Sequence, residues 1–161
     1  MKKLILMMLV LFLCGCSVKD EDGNLSASQI VHDFEITLST QQNTFNVSEL
    51  ANANPFSYLL EVQYVGQKDY IEVGHGDPLG MIFILDSAGE MVLPVGRTDE
   101  LHISSFEPEA TFSVIWDGSL ERKLLGPLEE GEYTVMSWVN FNLNNSGEEV
   151  DIYLELPLTI K

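Results

Sequence analysis

Two stretches hold side chains whose types and spacing could do chemistry. Leu13-Cys14-Gly15-Cys16-Ser17 carries both cysteines of the chain, two residues apart. A thiolate is a nucleophile and a metal ligand, but a Cys14–Cys16 disulfide would close too tight a loop for ordinary disulfide geometry. Gly74-His75-Gly76-Asp77-Pro78 sets an imidazole and a carboxylate two residues apart, a pair that could share a proton or a metal ion. Gly, Asp and Pro are equally the residues of a turn, each satisfying a backbone geometry that others resist. The turn is the reading adopted here. An enzyme or metal-binding protein using His75 and Asp77 is kept as the last alternative.

Other catalytic patterns are missing from the sequence. His32, His75 and His102 fall in no metal-binding spacing, and there is no nucleophile elbow, phosphate-cradling glycine loop or dinucleotide fingerprint. Glu129-Glu130 and Glu148-Glu149 lie in turn-like surroundings and read as solvated carboxylates. No catalytic residue, metal ligand or cofactor is assigned, and the chain is read as a non-enzyme.

The cysteines acquire a role from what precedes them. Met1-Lys2-Lys3 leads into an apolar run, Leu4 to Leu13, and Lys19, Asp20, Glu21 and Asp22 follow soon after. A positive start and a short apolar stretch are the pattern of a secretory signal; a membrane-spanning helix needs about 20 apolar residues. Leu13-Cys14-Gly15-Cys16 resembles a bacterial lipobox. The resemblance implies cleavage between Gly15 and Cys16, and lipidation of Cys16 by thioether-linked diacylglycerol and further acyl chains such as palmitate. Cys14 would leave with the signal. Several acyl chains make a stable anchor without a spanning segment. The expected location is the cell envelope: the outer membrane if the host has one, because Ser17 stands where an Asp is linked to inner-membrane retention, and otherwise the outer face of the cell membrane. The expected organisation is a signal peptide over 1–15, a flexible acidic tether over 16–29 and one domain over 30–161.

The chain has 8 Lys and Arg against 25 Asp and Glu, a formal charge of −17, and loss of Lys2 and Lys3 with the signal makes it more acidic still. Nucleic acid is therefore excluded as a partner, since phosphate binding needs clustered cations. Asp20-Glu21-Asp22-Gly23-Asn24 lacks the spacing and distal Glu of a helix-flanked calcium loop. It is read as tether.

The elements that must position any site are strands. From Val31 onward apolar residues alternate with period two, the strand signal. Phe34, Ile36 and Leu38 share a face, as do Tyr58, Leu60, Val62 and Tyr64, and Phe112, Val114 and Trp116. Trp116 is assigned to the core. Residues 80–96 read as a hairpin turning at Asp86-Ser87-Ala88-Gly89. Gln41 to Asn54 suggests an edge strand near Phe45 to Val47 and a helical turn near Ser48 to Ala51. About seven to nine short strands predict one all-β, antiparallel Greek-key β-sandwich of Ig-like type.

Leu128-Glu129-Glu130-Gly131-Glu132-Tyr133 has the spacing of a tyrosine corner, in which a Tyr opening the penultimate strand hydrogen-bonds to the preceding arch. Gly131 is expected to supply backbone freedom there. Taken in order, "FILDSAGEMV" (Phe83 to Val92), "FSVIWDG" (Phe112 to Gly118) and "LEEGEYTV" (Leu128 to Val135) make the region from Phe56 to Phe141 resemble the BsuPI-type intracellular proteinase inhibitors. That resemblance implies an Ig-like sandwich and a possible proteinase inhibitor. It assigns no inhibitory residue here.

One surface follows from register. A four-residue loop at Asn144-Asn145-Ser146-Gly147 would pair Leu143 with Glu148 and set Val139 opposite Ile152, Phe141 opposite Val150 and Val135 opposite Leu156, all facing inward. Trp138 then faces Tyr153, and Met136 faces Glu155, on the outer side. Met136, Trp138 and Tyr153 form the candidate partner-binding face. The function expected is that of a membrane-anchored, non-catalytic module that binds an unidentified envelope protein or peptide. The alternative is a tethered proteinase inhibitor of BsuPI type, with a protease as partner.

Overall fold

The computed structural model describes residues 18–19, 23–52, 56–92, 98–119, 123, 128–144 and 146–161. Cys14, Gly15, Cys16 and Ser17, and with them the expected cleavage and lipidation sites, lie outside these residues. In chain order the strands are β1 (Val18–Lys19), β2 (Leu25–Val31), β3 (Phe34–Thr40), β4 (Thr44–Phe45), β5 (Tyr58–Tyr64), β6 (Ile71–Leu85), β7 (Thr98–Phe106), β8 (Thr111–Trp116), β9 (Gly131–Leu143) and β10 (Glu149–Ile160); one short helix, α1 (Val47–Asn52), lies between β4 and β5. They build two 5-stranded sheets, ordered β1-β2-β3-β5-β8 and β4-β10-β9-β6-β7. The chain is an all-β sandwich, as the alternation predicts.

Alternation becomes burial. In β3, Phe34, Ile36 and Leu38 are inward and buried; in β5, Tyr58, Leu60, Val62 and Tyr64; in β10, every second residue from Val150 to Ile160. Each large apolar side chain so buried contributes about 1.5–3 kcal/mol, and the two inner faces share one core. Aromatic rings knit the sheets together: Phe34 of β3 packs edge-on against Phe106 of β7 at 5.4 Å and Phe141 of β9 at 4.9 Å.

The final hairpin has the predicted register: Val150 pairs with Phe141, Ile152 with Val139, Tyr153 with Trp138, Glu155 with Met136 and Leu156 with Val135. The Leu143 amide donates to the Glu148 carbonyl at 2.8 Å, and Gly147 closes the loop at a φ of 69°, a conformation open to glycine. Around Phe45 the chain also follows expectation. β4 pairs in parallel with the end of β10, and the Asn46 amide donates to the Glu49 carboxylate at 2.8 Å, capping α1.

Three expectations need correction. The segment read as tether, 16–29, contains the start of β2: Leu25 and Ala27 are buried, and β2 pairs with β3 throughout. Ser26 and Ser28 masked the start of that strand, because its first solvent-side residues are small and polar. Gly74-His75-Gly76-Asp77-Pro78 is not a turn between strands but the middle of β6: Gly74 and His75 pair with both β7 and β9, and of the other three only Asp77 pairs, with Thr98 of β7. The Asp86 hairpin, by contrast, follows expectation among the described residues: the Gly89 amide donates to the Asp86 carbonyl at 2.9 Å, and the Val92 amide donates to the Ile84 carbonyl at 3.0 Å around an antiparallel Leu85–Met91 bridge. Gly131 is not among the glycines of positive φ; it opens β9 in line with the ladder, opposite Ile160.

Candidate functional site

The site is built where β6 breaks register. Against β9, His75 pairs with Phe141 and Gly80 with Val139, so residues 76–79 bulge past Asn140 alone. Against β7, His75 pairs with His102 and Asp77 with Thr98. The Asp77–Pro78 peptide is cis. On the outer side of the second sheet the bulge leaves an open concavity of about 390 Å3. Gly74 and Gly76 form its floor, Leu101 stands on the β7 side, and Trp138, Asn140 and Asn142 stand on the β9 side. The floor is narrow: a Cβ on Gly74 would come within 3.2 Å of Leu101 Cδ1 and 3.0 Å of Asn144 Oδ1.

Trp138 joins this groove to the rest of the face. Its indole stacks on Tyr153 across the β9–β10 ladder, with centroids 6.1 Å apart and planes 6° from parallel. Its Nε1 donates to Asp151 Oδ1 at 2.6 Å, which fixes the ring's orientation. Asn140 Nδ2 donates to Glu149 Oε1 at 2.9 Å and reaches Asp151 Oδ1 at 3.5 Å. Tyr153 is 51 % exposed; Trp138 and Met136 are half-buried. Beneath them, Phe83 pairs with Met136 and Met81 with Trp138, both on the outer side of β6 and both buried. The three residues expected to share a face do share it. A second concavity, about 470 Å3, lies at the other end of the row between Asp86 and Glu132, Tyr133 and Glu155.

His75 and Asp77 do not form a pair. The Gly76 carbonyl, 2.6 Å from His75 Nδ1, can only accept, so a neutral ring carries its proton on Nδ1 and accepts at Nε2 from the Ser104 hydroxyl, 2.8 Å away. Both ring nitrogens are thus engaged away from the Asp77 carboxylate. His75 also stacks on His102 at 6.0 Å. Among the described residues no three His, Cys, Asp or Glu side chains stand where they could hold a metal ion.

Charge divides the molecule unevenly. The five strands of the second sheet contain no Lys or Arg, while they carry Glu72, Asp77, Asp99, Glu100, Glu132, Glu149, Asp151 and Glu155. The strands of the first sheet carry Glu35, Glu61 and Lys19. The chain matches no family model and no curated protein.

Some of these residues were within reach of the sequence. Asn140 and Asn142 share the parity of Trp138 in β9, so the outward alternation that found Trp138 also places them. Leu101, His102 and Ser104 were not, because their place depends on how β7 pairs across a bulge.

Proposed function

We propose that this chain is a lipid-anchored protein of the cell envelope whose sandwich is a non-catalytic module binding a protein or peptide on the outer face of its second sheet. The observation that carries the binding reading is the Trp138–Tyr153 stack, outward-facing and continuous with a groove. Aromatic anchors beside a concavity are what protein partners most often engage. The anchor reading rests on the lipobox resemblance at Leu13 to Cys16 and on the short apolar run before it. Trp138→Ala should abolish capture of the partner while leaving the unfolding midpoint nearly unchanged; capture equal to wild type would defeat the binding reading. Cys16→Ser should leave the protein unlipidated, either unprocessed or released, and radiolabelled palmitate entering that variant would defeat the anchor reading.

A second reading, a tethered proteinase inhibitor of BsuPI type, draws support from one contact. The Tyr133 hydroxyl donates to the Glu129 carbonyl at 3.1 Å, the bond a tyrosine corner requires. The repeated passage of the chain between sheets, with β9 and β10 ending it as a hairpin, supports an Ig-like Greek key in the same way. Stoichiometric inhibition of a serine, cysteine or metalloprotease by the chain would favour this reading, and inactivity against all three would remove it.

A further inference from the structure

We propose that the outer face of the second sheet takes a cationic, extended polypeptide segment, with a Lys or Arg side chain seated against Trp138 in the groove beside β7. The proposal rests on the reading of this face as a partner surface and names the partner's chemistry.

Shape favours an extended chain. The groove is an open concavity with walls from β7 and β9, and Leu101 and the Asn144 carboxamide already close over Gly74, so an extended segment would lie between those walls and not on the β6 backbone. Asn140 and Asn142 line one wall with carboxamides, groups that both donate and accept, as peptide units do. Leu101, 72 % exposed, gives the opposite wall an apolar surface for the aliphatic stem of a long side chain.

Charge selects the sign. Glu100 lines the groove itself. Asp151 and Glu149 stand directly behind Trp138 and Asn140 through the hydrogen bonds already described. No cation occurs in any strand of this sheet. Carboxylates gathered on one face repel one another and raise the local concentration of cations. A guanidinium or ammonium placed over the indole gains from the ring quadrupole as well. An anionic lipid surface or a nucleic acid would be repelled, and a neutral glycan would leave the charge unmet.

Two tryptophans make the test direct: Trp116 is buried in the core, whereas Trp138 lines the groove and reports on it. The full chain in neutral detergent is titrated with oligolysine, with oligoglutamate of equal length and with a neutral chitin oligosaccharide, following tryptophan emission. Oligolysine should give a saturable change that Trp138→Phe removes and that weakens as salt rises from about 20 to about 200 mM. The double variant Glu149→Gln with Asp151→Asn keeps the acceptors for Asn140 and Trp138 while removing both charges; it should bind oligolysine about tenfold more weakly. Glu35→Gln with Glu61→Gln removes the same charge from the first sheet and should leave affinity within about twofold. Equal weakening by both pairs would mean attraction to a generally acidic protein and would overturn the proposal, as would a response to the oligosaccharide in place of oligolysine, or to neither. If partner capture depends on Trp138 but survives loss of both charges, the cationic class falls and the binding face stands. Should capture ignore Trp138, both fall together.

Discussion

Tyr58 of β5 lies directly across the ladder from Trp116 of β8, and the two rings meet edge to face with centroids 5.7 Å apart. Phe56 closes on the other side of the indole at 5.2 Å. Trp116 is thereby enclosed at the end of β8, the edge strand of the first sheet among the described residues, and the cluster holds β8 in place. Truncation of Trp116 to Ala should cost about 3–5 kcal/mol, read as a lower midpoint of urea unfolding at unchanged slope. A loss below about 1 kcal/mol would show the cluster to be peripheral.

Burial also pushes the Tyr58 phenol well above its ordinary range, while its hydroxyl donates to the Pro157 carbonyl at 3.3 Å. The folded state then keeps this proton at pH values where the unfolded chain, titrating at about 10, gives it up. Stability from this group is complete below that value and is lost as pH rises beyond it. Unfolding free energy followed from about pH 9 to about pH 11.5 should fall less steeply in Tyr58→Phe than in wild type. Parallel curves would show that Tyr58 contributes nothing to alkaline lability.

Tyr133 ties the arch before β9 to the strand through its single bond to the Glu129 carbonyl. Burial, with the Glu129 and Asp86 carboxylates nearby, raises its phenol above the usual range, so it stays protonated and able to donate at neutral pH. Tyr133→Phe keeps the ring and removes the donor. The expected cost is about 1 kcal/mol; identical midpoint and slope in urea would show that the arch is held by other contacts.

Ser137 is buried in β9 between Val135 and Val139, facing the core, and its Oγ has no hydrogen-bond partner among the described residues. A hydroxyl taken out of water without compensation is destabilising. Ser137→Ala should therefore raise stability, by about 1 kcal/mol. Thermal unfolding of the variant at or below the wild-type midpoint would mean that the hydroxyl finds a partner in solution.

The amino-acid sequence by itself determined what depends on local chemistry. Period-two alternation identified the strands and their inward residues, and it did so for the long β9 and β10 down to individual pairs. A four-residue loop with Gly147 admits one register that keeps the inward residues apolar apart from Ser137, and a slip of one would turn Trp138 and Tyr153 into the core. Tertiary structure decided what local preference leaves open. Leu25 to Val31 reads as a polar tether until β3 supplies a ladder and the core accepts Leu25 and Ala27. Gly74 to Pro78 has the composition of a turn, yet the pairing of Gly74 and His75 with both β7 and β9 keeps the chain in a strand, and the residues that do not fit the ladder make the groove. The tight turn at His32 and Asp33, both at positive φ, lacks the Asn-Gly or Asp-Gly that usually announces it. The order of strands in each sheet, which gathers the carboxylates on one side and sets Leu101 across from Trp138, is a property of long-range packing. No run of neighbouring residues encodes it, because the contacts that select it join segments far apart in the chain.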